Sequence, residues 1–211
     1  MSIHEYSKRL GNISDEQLQR GLNYFDLGKF LQAEPIPFGL FGQNLFVSST
    51  AGDFVLRGVP HYDWQFPTEK FFIEQLHEKT RVPVPHPYLL NPSAEIFGWP
   101  FVIMPKLSGL QLADSQIVSS LSIDERRAIA QALAAMLIEI QTLTWDRSGR
   151  YDIATQQIKP LQPDYRSWVV QRIRELITRA QSYNVNTTAA DSAWAENIIE
   201  RTALACLTPY Q

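Results

Sequence analysis

The chain of 211 residues is 45% hydrophobic, 11% aromatic and 19% charged, a composition that can bury a sizeable core and excludes a disordered or fibrous chain. Nineteen Lys and Arg against 22 Asp and Glu give a net charge of −3, so no overall positive field exists to hold nucleic acid or an anionic membrane surface. One cysteine, Cys206, excludes an intrachain disulfide or a cysteine-built zinc site, and neither a signal-peptide core near the N-terminus nor a bilayer-spanning apolar run occurs, so the expected compartment is the cytoplasm.

Taken in chain order, Ser14-Asp15-Glu16-Gln17 has the form of a capping box, and Leu18, Leu22 and Phe25 follow at helical spacing until Gly28 supplies a stop. A short amphipathic helix is predicted there. From Pro35 the texture becomes β-rich, with runs at Pro37 to Leu40, Leu45 to Ser49 and Phe54 to Gly58, separated by the turn chemistry of Phe41-Gly42-Gln43-Asn44 and Ser49-Thr50-Ala51-Gly52-Asp53. His61 to Pro67 reads as a loop, and Thr68 as the cap of a helix running to about Lys79 with Phe72, Ile73 and Leu76 on one face. Pro83, Pro85 and Pro87 then force an extended connection into two further strands, Tyr88 to Leu90 and Phe101 to Leu107.

After Gly109 the β signal disappears. Ser122-Ile123-Asp124-Glu125 is a second capping box, followed by Ile129, Leu133, Met136, Leu137 and Ile140 on one stripe. Tyr165 to Ser182 repeats the pattern, and a last helix from about Asp191 is expected to bury Trp194, Ile198 and Cys206. The predicted fold class is therefore α+β: a β-rich first part, residues 1–104, of about five antiparallel strands with one internal helix, then an all-helical second part, residues 105–211.

Several chemistries lack their residues. His4, His61, His77 and His86 have no ligand-spaced partner, so a zinc site is not expected, and Cys206 reads as a small core residue rather than a nucleophile. Neither a Gly-x-Ser-x-Gly elbow nor a Gly-x-x-x-x-Gly-Lys-Ser/Thr loop occurs.

What remains is an order of elements: a Gly-containing turn between two strands, a strand ending Phe54-Val55-Leu56-Arg57, a helix carrying Glu69 in its opening turn, the Pro83-Val84-Pro85 connection, and Phe101-Val102-Ile103-Met104 running into Pro105-Lys106-Leu107-Ser108-Gly109. This order resembles the nucleotide-binding lobe of the aminoglycoside phosphotransferase and choline kinase family, over roughly Phe38 to Tyr210. The resemblance implies a protein-kinase-like fold, of which the helical substrate lobe is here only partial. It also implies ATP with Mg2+ as cofactors and transfer of the γ-phosphate to a hydroxyl of a small molecule.

Residue by residue, the resemblance puts Gly39, Gly42 and Asn44 where the family covers the phosphates, and Gly42, lacking a side chain, would let the backbone come close. Arg57 would contact the phosphates with a bidentate guanidinium and Glu69 would be its ion-pair partner. Met104 to Leu107 would lie beside the base, as the start of a hinge reaching Gly109. Taken alone, Gly42 also fits an ordinary hairpin glycine, Arg57 an edge-strand arginine, and Glu69 a first-turn glutamate favoured by the helix dipole.

The family's chemistry resides in a later His-x-Asp-x-x-x-x-Asn loop and a following metal-binding aspartate, and neither occurs after Gly109 in this sequence. The one His-x-Asp, at His61-Tyr62-Asp63, precedes the helix and the hinge and has Thr68 where Asn would stand. Gln141 stands where relatives often carry a histidine, and it cannot titrate. The expectation is therefore a piece of a longer phosphotransferase, inactive alone, with no catalytic or metal-ligating residue of its own, exposed helical stripes and a tendency to self-associate through them. The alternative is a non-catalytic kinase-like module that binds nucleotide or a partner protein.

Overall fold

The computed structural model describes residues 2–36, 41–110, 112, 114–146, 148–183 and 186–203. It contains two compact units, Met1–Leu143 and Thr144–Gln211.

The first unit opens with a hairpin that composition did not announce, β1 (Ile3–Ser7) against β2 (Gly11–Ser14), paired antiparallel with a register shift between Glu5 and Ser7. Its strands are short and largely polar, so no alternating apolar pattern marks them. Ser14 then caps α1 (Asp15–Tyr24): its hydroxyl accepts from the Gln17 amide at 3.2 Å while the Gln17 side chain accepts from the Ser14 amide at 3.0 Å. The helix ends earlier than Gly28, because Asp26 already takes the left-handed conformation, φ 57°.

The main sheet has five antiparallel strands in the order β3–β4–β5–β7–β6: β3 (Phe30–Pro35), β4 (Asn44–Ser49), β5 (Gly52–Gly58), β6 (Leu89–Asn91) and β7 (Phe101–Pro105). Five strands were expected, but the outermost is β3, upstream of the predicted run at Pro37 to Leu40, which lies outside the described residues. Pro35 is accommodated at the end of an edge strand, where no ladder donor is lost.

One face of the sheet, through Leu45, Val47, Phe54, Leu56, Phe101 and Ile103, packs with Leu18 and Leu22 of α1 and with Leu10 and Ile13 of the hairpin. The other face carries a smaller cluster of Phe66, Tyr88, Val102 and Met104, with Val55, Ile73 and Leu90 at its margin. Phe66 and Ile73 belong to α2 (Gln65–Lys79), which starts before the predicted Thr68 cap. Pro67 sits in its first turn, where a missing N–H costs no helical hydrogen bond, and the Thr68 amide already donates to the Trp64 carbonyl at 3.0 Å.

Beyond β7 come α3 (Ser115–Ser120), capped by Asp114, and α4 (Ile123–Gln141), opened by the Ser122–Glu125 capping box. Leu133, Leu137 and Ile140 on α4 are exposed.

In the second unit the expectation of an all-helical part is corrected. A hairpin, β8 (Gly149–Asp152) against β9 (Gln157–Pro160), precedes α5 (Tyr165–Tyr183) and α6 (Ala189–Ile198), and a π-helical turn Ile199–Ala203 follows. Asp152 closes the hairpin by accepting from the Thr155 amide and hydroxyl at 3.0 and 2.6 Å and pairing with Lys159 at 2.7 Å, a local polar code without apolar alternation. The last helix is present, but Trp194 is 68% exposed rather than buried. Cys206 lies outside the described residues. Among the described residues no helix is long and apolar enough to cross a membrane.

Candidate functional site

The register of the central strands sorts the candidate residues before any side chain is considered. Asn44 stands opposite Arg57, and Arg57 opposite Val102; in the next row Phe46 stands opposite Val55, and Val55 opposite Met104. Directly opposed residues project to the same side of a sheet. Asn44, Arg57 and Met104 therefore share the face bearing the smaller cluster, while Leu45, Leu56 and Ile103 point into the larger core.

α2 crosses the Arg57 end of that face. The Arg57 Nη1 donates to Glu69 Oε2 at 2.9 Å, with the two side chains 24% and 30% exposed, so the expected ion pair is formed in a partly desolvated place. Phe66, 1% exposed, lies under the guanidinium, 5.7 Å from ring centroid to Cζ. Glu69 is held from two further sides: the Tyr88 hydroxyl donates to Oε2 at 2.5 Å and Gln65 Nε2 donates to Oε1 at 3.1 Å. Burial pushes the Tyr88 hydroxyl well above the ordinary tyrosine range, and its hydrogen bond to Glu69 and that carboxylate's charge push the same way, against an opposing influence of Arg57. Tyr88 thus keeps its proton and donates it to the carboxylate against which Arg57 rests.

This arrangement leaves two buried polar atoms without a hydrogen-bond partner among the described residues, Arg57 Nε and Asn44 Oδ1. They belong to the two residues directly opposed across β4 and β5. Unpaired buried polar atoms cost about 1–3 kcal/mol each, so such a pair on one face is a place that gains from a polar ligand. Nε offers a charged donor suited to an oxyanion, and Oδ1 offers an acceptor suited to a hydroxyl or to the water of a bound cation.

Further along the face, Phe46, Val55 and Met104 make an apolar row, and the Lys106 ammonium sits 3.9 Å from the Phe46 ring centroid. The Lys106 amide donates to the Asp53 carbonyl at 3.0 Å, which carries the β5–β7 pairing into the segment after β7. Leu107 is 52% exposed there, off the sheet.

At the other end, Gly42 takes φ 59°, and the space its missing side chain leaves is filled by Ser7, whose Cβ and Oγ would lie 3.2 Å from a Cβ at Gly42. Gly39 lies outside the described residues. The structure thus gathers Asn44, Arg57 and Glu69, sets Met104 one row away on the same face, and leaves Gly42 and Leu107 at its ends. Sequence reasoning missed Tyr88 and Gln65. Tyr88 follows three prolines in a loop and carries no spacing signal, whereas Gln65 would have been reachable had α2 been started at the right residue.

Among the described residues no group of three His, Cys, Asp or Glu side chains is placed to hold a metal ion. Residues 32–203, most of the chain, match the family described as APH, phosphotransferase enzyme family. A comparison with curated proteins returns no match.

Proposed function

The chain belongs to the phosphotransferase enzyme family, and on that premise we propose that the face carrying Asn44, Arg57 and Met104 binds ATP for transfer of its γ-phosphate to a hydroxyl of a small molecule. The part of that reaction assigned to these residues is nucleotide binding. The observation that carries it is the unpartnered, buried Arg57 Nε, aligned with Asn44 and braced by Glu69.

Phosphoryl transfer asks the protein chiefly for positioning and for offset of negative charge. Arg57 supplies a permanent cation whose free Nε can meet a phosphate oxygen while Nη1 stays on Glu69. Glu69 fixes the plane of the guanidinium, and Tyr88 and Gln65 fix Glu69. The apolar row of Phe46, Val55 and Met104 suits the base, with the backbone after Met104 beside its edge. Mg2+ would neutralise phosphate charge when bound. In this reading the ion arrives with the nucleotide. Use of ATP and a single cysteine fit the cytoplasm.

Amide chemical shifts on adding MgATP test the location. Changes are expected at residues 44–46, 55–57 and 102–104. Changes confined to 144–203, or none at saturating nucleotide, would contradict the reading.

A further inference from the structure

The residues before the family match at 32–203 include the hairpin β1–β2, which the family pattern does not assign. Its bend is bonded to the two backbone segments that enter and leave the Asn44–Arg57 row. The Ser7 hydroxyl donates to the Gly42 carbonyl at 2.5 Å and accepts from the Leu10 amide at 3.1 Å. Arg9 donates through Nε and Nη2 to the Val59 carbonyl at 3.0 and 2.9 Å, and Gln43 Nε2 donates to the same oxygen at 2.6 Å. The Gly58 amide donates to the Gln43 carbonyl at 2.9 Å, closing the ring of contacts.

One backbone feature at this junction is one a chain does not adopt unforced: Val59, a β-branched residue, has φ 49°. Gly42 is left-handed too, a conformation glycine takes freely, with Ser7 packed against it. Strained residues persist only where their surroundings over-determine them, and three donors on one carbonyl do so here. Gly42 is two residues from Asn44, and Val59 two from Arg57, so the junction sets both ends of the row that carries the unpartnered atoms. An alternative surface, the exposed rings of Phe41, Tyr62 and Trp64, has nothing that selects an occupant.

We propose that Ser7 and Arg9 are positioning residues for the nucleotide's phosphates: the hairpin holds the turn at 41–43 and the exit of β5 so that the backbone near Gly42 and the Arg57 guanidinium converge on one anion. The proposal rests on the nucleotide reading above. It extends the site to a segment that lies before the family match at 32–203.

The test is a pair of titrations, MgATP and adenosine, on the full chain as wild type, Ser7→Ala, Arg9→Ala, Arg9→Lys and Arg57→Ala. Adenosine lacks phosphates, so a positioning role moves the ratio of the two dissociation constants, whereas a purely structural role lowers the folded fraction and leaves the ratio unchanged. Ser7→Ala and Arg9→Ala are each expected to weaken MgATP about fivefold to tenfold, the loss of one or two hydrogen bonds, with adenosine within about twofold of wild type. Arg9→Lys, retaining the charge and one donor, falls between and serves where Arg9→Ala does not fold. A ratio equal to wild type in the Ser7 and Arg9 variants, with Arg57→Ala still losing MgATP, overturns this proposal alone. Wild type that binds no MgATP overturns the nucleotide reading and this proposal together.

Discussion

The Arg57 guanidinium and the Glu69 carboxylate meet at 2.9 Å while the arginine's Nε, on the same group, is buried with no partner among the described residues. One side chain is thus anchored at one nitrogen and unpaired at another. Glu69→Gln keeps the shape and removes the charge opposite Arg57. It is expected to cost about 1–3 kcal/mol of unfolding free energy, because a partly desolvated cation loses its counter-charge. Urea unfolding of the variant against wild type measures it.

Tyr88 provides a separable check on the brace. Its hydroxyl is held protonated above the ordinary tyrosine value of 10.0, first by burial and then by Glu69. Above that pH the unfolded chain releases a proton that the folded chain keeps, so the stability due to this group is complete below pH 10 and falls as pH rises. Tyr88→Phe should cost about 1 kcal/mol at neutral pH, and the gap to wild type should narrow in melts taken at alkaline pH. A constant gap across that range would mean that the hydroxyl is not the group responsible.

The close approach of Gly58 to Trp99 predicts a different kind of failure. A Cβ at Gly58 collides with the indole ring, which is itself stacked on Phe97 at 4.8 Å between centroids. Gly58→Ala should destabilise by about 1–3 kcal/mol through overpacking. In the Trp99→Ala background the added methyl should cost clearly less, and a double-mutant cycle in urea reads the difference.

In the second unit the carboxylates of Asp191 and Glu196 carry a pH prediction of the opposite sign. The Asp191 carboxylate lies below its ordinary value because it accepts from the Thr188 amide and hydroxyl, and Glu196 because it accepts from Arg174. Their contribution is present above the ordinary carboxylate values of 3.8 and 4.5 and is lost as pH falls through the lower folded values. Protection of the amides over 188–198, taken relative to their intrinsic exchange rates at each pH, should fall in acid, and Asp191→Asn should show the lower protection already at neutral pH.

Much of this architecture was legible where the code is local. Ser14 with Gln17, and Ser122 with Glu125, each hold both halves of a capping box within four residues, and both helices start where those pairs stand. Strands β4 and β5 were legible because they alternate and are joined by turn residues. β1–β2 and β8–β9 were not, since polar pairings such as Asp152 with Lys159 stabilise them and leave no period to detect. Helical spacing placed Trp194 inside, yet spacing shows only which residues share a face, not whether anything covers it. At the site, Arg57 and Glu69 could be paired through the family resemblance that the order of elements carries. Tyr88 and Ser7 act across 19 and 35 residues of chain, and such contacts exist only once the sheet, α2 and the hairpin are assembled.

Whether Arg57 meets the nucleotide's phosphates is read by calorimetric titration of MgATP into wild type and into Arg57→Ala, with melting curves of both recorded in parallel. Wild type is expected to bind saturably and Arg57→Ala to lose at least about tenfold in affinity, equivalent to roughly 1.4 kcal/mol, while still melting cooperatively. Equal affinity in the two proteins, both folded, would contradict that contact.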